Sequence, residues 1–581
     1  MACYAAYLES ADDGRCLAHI LDLPGCVVRA PTRQDALCQL PEAIRGHCAW
    51  LRRHGEPAPP VSEATPIEIE VAGESSGFGP FDPGDAAALF PPDRRPVTPA
   101  EMEQAFRLMA HSRADLLALV GDLPDELLDW QPDPDSFSLR RLLRHLGNAE
   151  EWYVSRLVDP ETLPSEWGHD EDMPLLEFLE MERRTAVARL RQLTAQERSE
   201  VFYPDRWTSH PEEAWTARKA LRRFLEHERQ HAAQARRILA AYRHSLLARL
   251  AAERAGLLEQ ILGLDERALT RQVVHGDWTV QDILAHIAAW DRWEDRTMRC
   301  MAAGEAPDLT AVEDFDRANA AIIAAWRGRT LDQVLDELQA ARADWVAWLR
   351  SLPEEEFFRP RSYAGWDWTF YSVPLRVQWE HDAHHGERIA AWREAAGPAR
   401  RASPQQIGDS GPKAVLLAAL AAAREELLAA AALVPDAEHA SRLVCGRWTL
   451  KDVLGHVADW EWLGVEGLRH MAAGQAPQVE YITDIDAWNH AHAAARHGQP
   501  WQVVWDDLHA ARQAFLEILE RMGQAGLEQA FPFPGDAGIA SMQASHGGEG
   551  TPYQWVRVYV SHDRAHARGL RAQSSSPPQR S

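Results

Sequence analysis

Basic residues are scarce relative to acidic ones: 61 Lys and Arg face 87 Asp and Glu, a net charge of −26 over 581 residues. A surface of that sign repels phosphate backbones, which removes nucleic acid from the expected partners. Long apolar runs are missing too. The most apolar stretch, AVLLAALAAAREELLAAAALV at 414–434, is interrupted by Arg424, Glu425 and Glu426, so it reads as a buried or dimerising helix and not a membrane span. The start, MACYAAYLESADDGRC, has no basic n-region and no apolar h-region. No signal peptide is read there, and a cytoplasmic protein without membrane contact is expected. Cysteine is limited to Cys3, Cys16, Cys26, Cys38, Cys48, Cys300 and Cys445, with no C-x-x-C spacing. That excludes a zinc knuckle and leaves small buried apolar residues as the plain reading. There is no Gly-x-Gly-x-x-Gly turn, phosphate loop or Gly-x-Ser-x-Gly elbow, so nucleotide binding and serine-hydrolase chemistry have no motif to rest on.

What the chain does have is length, tryptophan and histidine. Its 581 residues exceed one hydrophobic core and call for roughly four domains. Residues 1–72 read as a small α+β unit of order ββαβ: CYAAYLES and RCLAHIL as strands, DLPGC as a turn, 33–53 as a helix and PIEIEVA at 66–72 as a last strand. Residues 73–97 are Gly- and Pro-rich and read as a linker. The remainder is mainly α and repeats three times. DSFSLRRLLRHLGNAEEWY from Asp135, GDWTVQDILAHIAAWDRWE from Gly276 and GRWTLKDVLGHVADWEWLG from Gly446 align without gaps. Each places an aromatic residue (Phe137, Trp278, Trp448) before a helix-capping hydroxyl (Ser138, Thr279, Thr449) and then a single His. Four amphipathic helices per repeat predict three tandem four-helix bundles over 98–242, 243–397 and 411–574, with a linker at 398–410 and a disordered tail at 575–581. The fourth helix of the first bundle is expected to stop near 242 and the next to start at 243.

In each repeat the single His is followed, about a hundred residues on, by a His-x-x-x-His pair. The sets are His145 with His227 and His231, His286 with His381 and His385, and His456 with His562 and His566. A His-x-x-x-His pair puts both rings on one helix face, one turn apart. With a third imidazole from another helix it fills three positions of a divalent ion and leaves the rest open, the pattern of a catalytic rather than a structural metal. Up to three ions per chain are expected, and imidazole does not choose among Zn, Ni, Mn and Fe. Each single His lies off the core stripe of its helix (Leu142, Leu143 and Leu146; Val280, Ile283, Leu284 and Ile287; Val453, Leu454 and Val457), beside Trp152, Trp290 with Trp293, or Trp460. Those tryptophans read as pocket walls. Gln234 stands one turn past His231 and can face the site. Glu228, Asp382 and Asp563 follow the first ligand of each pair, where an acid accepting a ring N–H would hold the tautomer. A residue next in sequence points roughly 100° away, however, which favours a solvated surface acid. Glu150, Asp291 and Glu461, five positions past the single His, are expected to be exposed for the same reason.

A bundle with one His on its second helix and His-x-x-x-His on its fourth resembles the DinB superfamily, in three copies over about 98–574. The resemblance implies a metal-dependent enzyme, with all nine histidines as ligands. It further implies S-transferase or isomerase chemistry with a low-molecular-weight thiol as cosubstrate and a small-molecule acceptor, or a related hydrolase. Residues 1–72 resemble the HicB antitoxin fold through YLESADDGRCLAHILDLPGC and the Ala/Leu helix after it. The alternative expectation is a non-enzymatic metal-binding scaffold or sensor whose HicB-like module recruits a protein partner. The sequence leaves oligomeric state open and favours packing between bundles within the chain.

Overall fold

A computed structural model describes residues 2–574 apart from 80, 82–84, 86, 164–172, 364–365, 396–409, 480–481, 483 and 533–547. The tail at 575–581 and nearly all of the 398–410 linker therefore lie outside the described residues. The chain divides into two compact units, one of residues 1–131 and 136–239, the other of 132–135 and 240–581.

The first unit opens with β1 (Ala2–Ser10), β2 (Cys16–His19), β3 (Val27–Ala30), α1 (Arg33–Arg53) and β4 (Ile67–Ser76). The sheet order is β3-β2-β1-β4, with β4 parallel to β1 and the other pairs antiparallel. The expected ββαβ is thus βββαβ. VVRA at 27–30 is too short to show an alternation of its own, and pairing with β2 makes it a strand. The segment expected as a linker is partly built in. β4 runs on to Ser76, and Ala88, Phe90 and Asp93 are buried. The Phe90 ring lies 5.1 Å from Tyr7 and 5.7 Å from His19.

The first bundle consists of α2 (Pro99–Val120), α3 (Leu139–Ser155), α4 (Leu175–Arg191) and the start of α5 (Ala217–Ile261). Its core is continuous with that of the sheet module: Leu40, Ile44, Cys48 and Trp50 of α1 join Met102, Phe106, Tyr153 and Phe224 in one cluster. Polar groups tie the same seam. His19 Nδ1 lies 2.8 Å from Glu226 on α5, His19 Nε2 lies 3.1 Å from Glu9, and Arg222 donates to Asp93 at 2.9 Å.

α5 runs through the expected break at 242 as one helix of 45 residues. It contains no proline and one glycine, Gly256, so nothing local stops it. Its second half serves as the first helix of the second bundle, with α6 (Val280–Ala302), α8 (Leu331–Ser351) and α9 (Val373–Ala395). The third bundle is α10 (Lys413–Ala431), α11 (Leu450–Ala472), α13 (Trp501–Arg521) and α14 (Pro552–Ser574). Besides several helices of four to six residues, two unexpected helices of 12 residues each are present among the described residues: α7 (Phe315–Trp326) and α12 (Ile485–Arg496), each inserted after the second helix of its bundle. The second and third bundles share a core in which Leu257, Ile261 and Ile389 meet Val415, Leu420, Val556 and Val560. Gly411 permits a close approach there, since a Cβ would sit 2.8 Å from the Tyr553 hydroxyl.

The three second helices start as their sequences require. Ser138, Thr279 and Thr449 each accept a hydrogen bond from the backbone N–H three residues on. Asp282 and Asp452 complete capping boxes in the latter two. Short hairpins precede those two helices: β5 (Val273–His275) with β6 (Trp278–Thr279), and β7 (Leu443–Cys445) with β8 (Trp448–Thr449). Gly276 and Gly446 supply the positive φ, +55° and +58°, that these tight turns need. No helix among the described residues is long and apolar enough to cross a membrane.

Candidate metal centres

The folding of each bundle brings its single His from the second helix against the His-x-x-x-His face of the fourth. Within each set one nitrogen per ring lies within 4.8 Å of the others. His227 Nε2 is 3.0 Å from both His145 Nε2 and His231 Nε2. His286 Nε2 and His381 Nε2 are 2.8 Å apart, and His562 Nε2 is 3.1 Å from both His456 Nε2 and His566 Nε2. A shared proton can join only one such pair at a time, whereas a cation among them satisfies all three lone pairs. The spacing also matches the ~3 Å between neighbouring nitrogens each ~2.1 Å from one ion. The donor set therefore fits a divalent metal in all three bundles.

Burial keeps these rings neutral. Loss of solvent, reinforced by neighbouring histidines, pushes His231 and His562 down to about 4, His286, His381 and His385 to about 3, and His456 to about 2. His145, His227 and His566 are also lowered, chiefly by burial. A neutral imidazole has the lone pair that a metal requires.

The surroundings differ between bundles. In the first, His231 Nδ1–H donates to Gln234 Oε1 at 2.8 Å, which leaves Nε2 as the ligand atom. Trp152 lies along the cavity beside the triad and donates from Nε1 to the Trp207 carbonyl at 2.8 Å. In the other two, the hairpin tryptophans stand against the single His, Trp278 with its ring centre 4.8 Å from His286 and Trp448 4.9 Å from His456. Trp290 and Trp460 lie 6.4 and 6.2 Å from the same rings. Their indole N–H groups donate to Asn319 on α7 at 3.0 Å and Asn489 on α12 at 2.9 Å. Trp293 packs behind Trp290, ring centres 5.4 Å apart, and makes no ring contact with the triad among the described residues. Asn319 and Asn489 were missed, although each follows its His (His286, His456) at the same interval.

The expectation that the flanking acids are solvated is overturned. Glu228, Asp382, Asp563, Glu150, Asp291 and Glu461 are all at most 3 % exposed. They bond to arginines rather than to histidine N–H groups. In the second bundle Arg254 reaches Asp291 at 2.8 Å and Asp382 at 3.0 Å, while Arg342 reaches the same two carboxylates at 2.8 and 3.1 Å. The third bundle repeats this with Arg424 to Glu461 at 2.7 Å and to Asp563 at 2.9 Å, and Arg512 to Asp563 at 2.8 Å and to Glu461. The first does so with Arg113 to Glu228 at 2.9 Å and to Glu150, and Arg183 to Glu150 at 2.8 Å and to Glu228. Each quartet takes one residue from each of four helices and has no net charge. Spare guanidinium N–H groups donate to the carbonyls of Leu179, Leu338 and Leu508. Burial alone would raise the carboxylates, but the paired arginines outweigh it and hold Glu228, Asp291 and Asp563 below the usual range.

The signal was present in the sequence. Glu150, Asp291 and Glu461 lie one turn past Leu146, Ile287 and Val457, so they continue the core stripe, and rotation away from the His points them inward. The acid after each first ligand likewise turns from the triad into the bundle.

Helical bundles with three-imidazole centres between their second and fourth helices define a class of metal-capable domain. The DinB superfamily pattern matches residues 108–235, 249–389 and 419–569, and the chain belongs to that superfamily. Its N-terminal region is 32% identical over 56 residues to a UPF0150 protein of Thermoplasma acidophilum, a HicB-like family, a match that covers 10% of this chain and 81% of that protein. No solved structure matches the chain.

Proposed function

We propose that the protein is a metal-dependent enzyme, with thiol transfer to a small electrophile as the reaction and hydrolysis or isomerisation as its close relatives. The observation that carries this reading is the convergence of three neutral imidazole nitrogens from two helices in every bundle. Three ligands leave coordination positions for a substrate. A divalent ion held there keeps a thiol or water deprotonated at neutral pH. The chain's own residues do the rest. Gln234 orients His231, the tryptophans exclude water from one side of each triad, and the Arg–acid quartets hold the second and fourth helices at a set separation. The thiol comes from the family reading, and the donor set accommodates it.

Metal content after reloading, measured by mass spectrometry, tests the first half. Up to three ions per chain are expected, and His145→Ala, His286→Ala and His456→Ala should each remove one. Less than one ion in the parent chain overturns the metal reading. Loaded protein with several thiols and a chlorodinitrobenzene acceptor tests the second half. Turnover abolished by a chelator supports the enzyme. Full metal occupancy without turnover on any thiol favours a scaffold whose ions only join helices.

A further inference from the structure

The sheet module and the first bundle enclose a cavity of about 1240 Å³. His145, His227 and His231 lie on its wall together with Trp152 and Trp215, and the module contributes the turn through Gly25, strand β3 and the α1 residues His47, Trp50 and Arg53. The module is therefore part of the space that adjoins the first triad.

Several polar groups in that space lack hydrogen-bond partners among the described residues. His47 is 2% exposed, and neither ring nitrogen has a hydrogen bond. Gln230 Nε2 is also buried and unpaired. The Arg229 guanidinium lies 4.4 Å above the Trp50 ring, and no carboxylate or carbonyl among the described residues is bonded to it. Gly25 makes room for it, since a Cβ there would stand 3.1 Å from Arg229 Cδ. Carboxylates line the cavity as well, but Glu9 is paired with His19, Asp115 accepts from Trp50 Nε1 at 2.6 Å and lies 3.2 Å from His54 Nε2, and Asp85 and Glu151 each have a partner within the protein. A desolvated cation with unpaired nitrogens and aromatic walls is the chemistry that receives an anion carried on an apolar body.

We propose that the N-terminal module and the first bundle form one composite binding site for an aromatic or otherwise apolar carboxylate, its anionic end held by Arg229 with Arg53, and its body among the cavity's tryptophans. The site does not depend on a metal in the triad, so it stands or falls separately from the enzymatic reading. It makes the module a binding wall of the first bundle, a role that the second and third bundles have no module to supply.

Calorimetry on metal-free full-length protein tests this with 2-naphthoate and its neutral isostere 2-naphthamide. Naphthoate should bind about tenfold more tightly than naphthamide, the value of one charge-assisted contact. In Arg229→Gln that preference should shrink to about twofold or less, with naphthamide unchanged. Arg53→Gln, at an exposed position, should narrow the gap in the same direction and serves as the test if Arg229→Gln does not fold by circular dichroism. Equal affinity for the two probes, no binding of either, or an undiminished preference in the variants overturns the proposal.

Discussion

The first bundle and the later two carry the same triad and the same Arg–acid quartet, yet their walls are built differently. In the first, an amide on the ligand helix itself, Gln234, holds a ligand ring, and a separate sheet module closes the space beside it. In the second and third, an inserted helix brings Asn319 or Asn489 to the indole beside the single His, and a hairpin lays Trp278 or Trp448 over that His. What the copies share is the cross-section of the bundle. What they vary is the lining a substrate would meet. Three copies of one metal-capable centre thereby carry two kinds of wall.

The largest effect should come from the shared part. Arg342→Met leaves Asp291 and Asp382 buried without their second cation and should cost about 3–5 kcal/mol in denaturant unfolding. Arg113→Met should cost a similar amount in the first unit. A loss under about 1 kcal/mol in either would mean that the quartet there is not a common structural device.

The next effect separates the bundles. Gln234→Leu should weaken metal binding at the first triad by about 10- to 100-fold and leave the other two unchanged in a chelator competition. Equal weakening at all three would mean that Gln234 does not set the first triad apart from the other two. The reciprocal change, Asn319→Leu, strands the Trp290 indole N–H, which is 7% exposed, and should cost about 1–3 kcal/mol in unfolding of the second unit only.

The smallest effect is a pH dependence confined to the first unit. Burial alone would lower the pKa of His19, but Glu226 and Glu9 outweigh it and raise the value above 6.5. The folded state thus holds this proton more tightly than the unfolded chain. Its contribution is complete below about pH 6.5 and is lost as the pH climbs through the raised value. The unfolding temperature of the first unit should fall over that alkaline window in the parent protein and stay flatter in His19→Gln. Parallel curves for the two proteins would remove His19 from the seam.

Much of this was legible from residues alone. The capping hydroxyls, the core stripes and the His spacing place the helices and the ligands, because a helix is a local structure with a 3.6-residue period. The angle from the His alone places Asp291 and its counterparts on the surface, whereas their place on the core stripe turns them inward. The arginines that neutralise them sit on other helices, where no sequence period points. Strand β3 has no pattern apart from a partner strand, being four residues long, and the break expected at 242 is absent because residues 217–255 offer no glycine or proline to make one.

By itself, then, the sequence determined three repeats, nine histidines on defined helix faces and a small α+β module ahead of them, all properties of local periodicity. Only the tertiary structure decided that each set of three brings one nitrogen per ring within 4.8 Å of the others, that six acids turn inward onto six arginines, and that the module walls the first site. Those outcomes depend on which helices face one another, and burial makes charges pair only with what the fold brings within reach.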